Sequence, residues 1–153
     1  MKPKPDDSAL SKLRLFAELD EAELAAIVDH SAVESYSDGQ RILADGEEGH
    51  CMYVVLRGAV AVNVAGHPVA TLGEGAFFGE IALVDDGPRS ADVFASGPTE
   101  VLVITRMTLG LLAAVQPGAA IHLLAAIGKS LVSKLRADNR RFRELVWLGE
   151  SKD

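Results

Sequence analysis

The run Phe78-Gly79-Glu80-Ile81-Ala82-Leu83-Val84-Asp85-Asp86-Gly87-Pro88-Arg89-Ser90-Ala91 places one helical turn between β-type segments and follows it with an arginine. Phe77-Phe78 has strand character and ends at Gly79, a residue that permits positive φ or close backbone approach. Ile81-Ala82-Leu83 is long enough for about one turn. The first amides of such a turn lack intrahelical partners and form a ready anion site. Asp85-Asp86-Gly87-Pro88 is turn chemistry that sends the chain back. Arg89 then offers a planar, permanently charged fork of donors suited to phosphate oxygens, and Ser90 adds a hydroxyl. Glu80, acceptor-only when ionised, would repel a phosphate, so its natural partner is a pair of neutral hydroxyls on the same ligand. Phosphate and hydroxyls on one small molecule suggest a nucleotide. The simpler alternative is a surface ion pair between Glu80 and Arg89, contributing under about 1 kcal/mol.

Working outward, residues 32–104 consist of short runs rich in β-branched and aromatic residues: Val33–Tyr36, Arg41–Leu43, Met52–Leu56, Ala59–Val64, Val69–Leu72, Phe77-Phe78, Ala91–Phe94 and Glu100–Ile104. Asp38-Gly39, Asp45-Gly46, Arg57-Gly58, Gly66-His67-Pro68, Gly73-Glu74-Gly75 and Ser96-Gly97-Pro98 separate them as turn signals. About eight short, regularly spaced strands predict a sandwich, barrel or jelly roll interrupted once, by the turn at Glu80.

Helical spacing flanks the β region on both sides. Leu10, Leu13, Leu15-Phe16, Leu19, Leu24, Ile27 and Val28 predict two helices over 9–31, with Ser8 capping the first. Asp20 followed by Glu23 gives the second a box-like start. Residues 1–8, rich in Pro, Lys and Asp, read as a disordered tail. Over 105–148, Leu109, Leu111-Leu112 and Val115 end at the breaker Gln116-Pro117-Gly118, and a longer amphipathic helix is expected from near Ala119. Its polar face carries Lys129, Lys134, Arg136, Arg140, Arg141 and Arg143, a solvated face or a surface for an acidic partner. Its apolar stripe could pack on the roll or pair with a second copy.

The 153 residues suit one domain with a single core over 9–153, and 48% hydrophobic content argues for a folded chain. No apolar run approaches the ~18 residues of a membrane span. Nor does the start carry the apolar region of a secretory signal. The single cysteine, Cys51, excludes an internal disulfide, and a cytoplasmic protein is expected. A net charge of −7 argues against broad attraction to nucleic acid or anionic lipid. His30, His50, His67 and His122 are scattered with no H-x-H pair, so metal catalysis is not expected. No G-x-S-x-G elbow accompanies a nucleophile. Neither a catalytic residue nor a cofactor is expected.

Phe78-Gly79-Glu80-Ile81-Ala82-Leu83 followed by Pro88-Arg89-Ser90-Ala91 resembles the phosphate-binding cassette of cyclic nucleotide-binding domains, the family of catabolite activators, protein kinase A regulatory subunits and cyclic nucleotide-gated channels. Gly46, Gly49, Tyr53 and Gly58 fall in the order of the family's pattern. The resemblance implies an α+β fold: a helical lead-in, a β jelly roll with an embedded phosphate-binding short helix, and C-terminal helices. It implies that Glu80 takes the ribose 2′-hydroxyl and Arg89 the exocyclic phosphate oxygens. Ser90 and the amides of Ile81, Ala82 and Leu83 would hold the rest of the phosphate. Val62, Val69 and Ala70 would wall the purine, Leu135, Arg136 and Asn139 would supply lid contacts, and Trp147 could cap the base.

The expected function is that of a stand-alone, non-enzymatic sensor of cyclic AMP, or of cyclic GMP, signalling through its C-terminal helix to a protein partner or within a homodimer. No DNA-binding segment is expected after Asp153. The alternative is a degenerate interaction module that no longer binds nucleotide.

Overall fold

The computed structural model describes residues 7–150, with side chains described for 9–146. The lead-in comprises α1 (Asp7–Leu10), a 3-10 turn (Arg14–Phe16) and α2 (Glu21–Asp29). Six strands follow: β1 (Ala32–Tyr36), β2 (Arg41–Leu43), β3 (Cys51–Val64), β4 (His67–Leu72), β5 (Phe77–Phe78) and β6 (Asp92–Thr105), with a second 3-10 turn (Glu80–Leu83) between β5 and β6. Helices α3 (Arg106–Val115) and α4 (Pro117–Glu150) close the order. Asp7 and Ser8 belong to α1, so Ser8 sits inside the first helix rather than capping it. The rest of the expected tail and the base cap at Trp147 lie outside the described residues and side chains. The helix after the breaker starts at Pro117, two residues before the expected Ala119, because proline is well suited to the first position of a helix.

All strand pairs are antiparallel, in the order β1-β6-β3-β4, with β2 on β6 and β5 on β3. The 14-residue strands β3 and β6 are the spine of the jelly roll. They explain why six strands form where eight turn-bounded runs are expected. Gly58 adopts φ +85°, and β3–β6 pairing resumes beyond it, Arg57 opposite Glu100 and Ala59 opposite Ser96. Arg57-Gly58 and Gly97-Pro98 therefore make bulges that bend continuous strands. The buried Thr99 hydroxyl donates to the carbonyls of Ala59 and Gly97, both at 3.0 Å, and holds the bend.

Side chains alternate across a strand, and here both faces are covered. Met52, Val54, Leu102 and Ile104 join Phe16, Ile27, Leu112, Leu123 and Ile127 beneath the helices. Tyr53, Val55, Val101 and Val103 meet Leu43, Val60, Phe78 and Val93 inside the roll. This double burial makes the runs at 52–55 and 101–104 continuously apolar.

The helices are tied down by local chemistry. Asp20 and Glu23 form the capping box that their spacing predicts, with bonds of 2.8 and 3.0 Å. Glu23 also meets His122 Nδ1 of α4 at 2.8 Å. Thr105 caps α3 through the Thr108 amide, and Thr108 Oγ1 donates to the His30 carbonyl at 2.7 Å.

By length and composition the stretch Pro117–Val146 would be able to cross a membrane, where reading runs of apolar residues reveals no such segment. Its apolar content has another use here. Ala119, Ala120, Leu123 and Ile127 are buried in the core, while Lys129 pairs with Glu18 and Lys134 with Glu80, both at 2.7 Å.

Candidate functional site

Gly79 ends β5 with φ +74° and ψ +12°, a left-handed conformation that few residues other than glycine adopt. It turns the chain into the 3-10 turn of Glu80, Ile81, Ala82 and Leu83. The expected single helical turn is of the 3-10 type, and the amides of Ala82 and Val84 bond to the Gly79 and Ile81 carbonyls at 3.3 and 3.0 Å. Phe78, Ala82 and Leu83 are buried and anchor the turn, whereas Ile81 is exposed.

Arg89 is bound to the wall opposite by its backbone. Its amide donates to the Glu47 carbonyl at 2.7 Å, and its carbonyl accepts from the Gly46 amide at 2.8 Å. The guanidinium reaches back to the Gly79 carbonyl (3.1 Å) and the Cys51 carbonyl (2.8 Å), with Cys51 Sγ at 3.8 Å. Its carbon sits 5.9 Å from the centroid of Tyr53, which stacks on Phe78 at 5.0 Å. Burial, with the hydrogen-bond contact to Cys51 Sγ as the next cause, pushes the Tyr53 phenol above its ordinary range, so it stays neutral. Gly49 packs so closely that a Cβ there would lie 2.4 Å from the guanidinium carbon.

Arg89 is only 9% exposed. Among the described residues no carboxylate lies within ion-pair distance of it. Two carbonyl bonds leave donors of the five-donor fork for another acceptor. A buried cation without a counter-ion is costly unless an anion completes it.

The other expected residues divide. Glu80 is buried (5% exposed) at the start of the same turn, with Lys134 on its carboxylate. Ser90 is exposed next to Arg89. Val62 and Ala70 face each other across β3 and β4, Val62 half-buried and Ala70 exposed, and Val69 is exposed. Leu135, Arg136 and Asn139 are all exposed, and α4 presents Lys134 to the turn instead. Arg136 lines an open groove with Lys129, Val132, Ser133 and Arg140.

Two residues escape motif reading. Lys134 continues the inward face of α4 marked by Ile127 and, four residues on, Leu131, with Lys134 three residues further, and this spacing is the signal that could have found it. Arg106, the first residue of α3, grips the far end of the turn. It donates to the Ala82 carbonyl at 2.6 and 3.1 Å and to the Asp85 carbonyl at 3.2 Å, and pairs with Asp86. Arg106→Ala is expected to cost about 1 to 3 kcal/mol of stability by leaving these carbonyls unmatched. Urea unfolding followed by circular dichroism checks it, and an unchanged midpoint removes the clamp.

A jelly roll that carries a buried cation behind a glycine-initiated turn, with no carboxylate partner among the described residues, is a frame suited to a small anionic ligand. The cyclic nucleotide-binding domain model matches residues 33–116, and the chain belongs to that family. It is 34% identical over 133 residues to glutaminase 2 of Bradyrhizobium diazoefficiens, covering 86% of this chain and 21% of that one. It is 33% identical over 87 residues to the cAMP-dependent protein kinase regulatory subunit of Debaryomyces hansenii, covering 57% and 19%. The crystal structure of a cyclic nucleotide-binding domain from Methylobacillus flagellatus superposes with a TM-score of 0.75 at 26% identity, covering 88% of this chain and 78% of that one. The chain thus spans about a fifth of these two curated relatives.

Proposed function

We propose that this chain is a non-enzymatic cyclic nucleotide sensor that takes cyclic AMP, with cyclic GMP as the second candidate. The observation that carries the reading is the buried Arg89, held by the carbonyls of Gly79 and Cys51 and without a carboxylate partner among the described residues. The ligand's phosphate supplies the missing charge, bound by Arg89, Ser90 and the amides of Ile81 and Leu83, while the Ala82 amide, which donates to the Gly79 carbonyl at 3.3 Å, joins them only by giving up that bond. Glu80 accepts the ribose 2′-hydroxyl. Phe78 and Gly79 shape the turn, and Val62, Val69 and Ala70 line the purine side. Leu135, Arg136 and Asn139 are exposed on α4 and meet the base only if that helix shifts.

Output runs through α4. Ligand that contacts one arrangement of the helix better than another shifts its population. The exposed Leu135, Phe142, Leu145 and Val146 would then meet a protein partner or a second copy, and the basic stripe would meet an acidic surface. We place this activity in the cytoplasm.

Calorimetric titration of nucleotide-stripped protein with cyclic AMP and cyclic GMP tests the reading. Saturable binding supports a sensor and the affinity ratio names its messenger. No binding of either by folded, ligand-free protein returns the chain to the alternative of an interaction module. Glu80→Ala is expected to weaken cyclic AMP binding less than loss of Arg89 does, and to narrow the gap between cyclic AMP and its 2′-deoxy analogue. Equal binding of the two analogues by the parent protein would remove the role given to Glu80.

A further inference from the structure

Glu80 is already engaged. Its Oε1 accepts a hydrogen bond of 2.7 Å from Lys134 Nζ, 54 residues along the chain on α4. The Glu80 side chain is 6% exposed and that of Lys134 60%. A carboxylate so enclosed has a narrow approach from solvent, and the ammonium stands in it.

We propose that Lys134 is a specificity-determining residue of the nucleotide site, a competitor that a ligand's hydroxyl must displace from Glu80. The inference rests on the ligand reading above and adds the cost of entry. A ligand with a 2′-hydroxyl exchanges the Lys134–Glu80 contact for a hydroxyl–Glu80 contact, and the net gain is the difference between them. A ligand without it leaves Lys134 in place, gaining and losing nothing at Glu80. Lys134 therefore lowers the measured preference for the ribo ligand while making that ligand alone able to release α4 at this point. Ile127 and Leu131 hold the preceding turns of the helix in the core, whereas Leu135, Phe142 and Leu145 beyond are exposed. The lock thus lies where the anchored part of α4 ends.

The test is titration of the parent chain, Lys134→Met and Lys134→Gln with cyclic AMP and 2′-deoxy cyclic AMP. Loss of one half-exposed ion-pair partner is expected to tighten cyclic AMP by about three- to tenfold. Binding of the 2′-deoxy analogue is expected to stay within about twofold, so the ratio of the two affinities rises in both variants. An unchanged ratio means that Glu80 accepts both groups at once and overturns the proposal. Weaker binding of both ligands assigns Lys134 to the ligand's own charge and overturns it equally. Failure of the parent chain to bind either ligand sinks the ligand reading itself, an outcome distinct from both.

Discussion

Arg89→Ala is expected to lose about 2 to 5 kcal/mol of cyclic nucleotide binding, because the anion it faces would enter a buried site with its counter-charge gone. In affinity this is a fall of more than about tenfold, well within calorimetric range. Arg89→Lys should not restore it. The guanidinium lies between the Gly79 and Cys51 carbonyls, 3.1 and 2.8 Å away, with donors left for the ligand, and a lysine's single ammonium cannot span that set. The same substitution strips both carbonyls of a donor, so a modest fall in melting temperature accompanies it. Titrations are therefore made well below that temperature, with circular dichroism confirming the folded state. Undiminished affinity in folded Arg89→Ala would end the assignment of this arginine to a phosphate.

The second large effect is expected at Gly49, which never touches the ligand in this reading. A Cβ built there lies 2.4 Å from both Cζ and Nε of Arg89 and 2.8 Å from Nη1. Residue 49 lies outside the left-handed region, so alanine brings no backbone strain and its whole effect is steric. A free arginine head would swing aside at little cost. This one is buried and bonded at two points, so it must give up those bonds to make room. Gly49→Ala is expected to weaken binding by about 1.5 to 3 kcal/mol, the range for hydrogen bonds to a charged group. Because the two positions act through one guanidinium, their effects should not add. Gly49→Ala introduced into Arg89→Ala should cost almost nothing further, and a full second loss would show that it acts by another route.

Much of the site was legible because its parts lie within a few residues of one another. Gly79, the turn of Glu80 to Leu83, the reversal at Asp85 to Pro88 and Arg89 follow in order, and each is chosen by a local requirement. Those requirements are a left-handed backbone, a turn's free amides, a chain reversal and a fork of donors. The Asp20–Glu23 box is local in the same sense, and so is the break at Gln116. Strand identity was legible from β-branched runs, but strand number was not. Gly58 and Gly97 have the composition of hairpin turns, and only the pairing of β3 with β6 across them makes them bends in continuous strands.

Contacts across the fold were decided by tertiary structure alone. Whether α4 presents Lys134 or Arg136 to the turn depends on the helix's rotation about its axis, and two residues are more than half a turn apart. That rotation is set by Ile127 and Leu131 settling into a core shared with α2 and α3; their spacing within α4 marks the inward face, but not that Glu80 is what this face meets. The approach of Gly49 to Arg89 depends in the same way on the Glu47 and Gly46 bonds that bring residue 89 back to that loop. By itself, then, the sequence determined the local chemistry: a glycine-led turn, a carboxylate, an arginine and strands of sufficient apolar content. Packing decided that the arginine is buried without an acidic partner among the described residues and that the carboxylate meets a lysine from a distant helix, since both depend on which surfaces exclude water together.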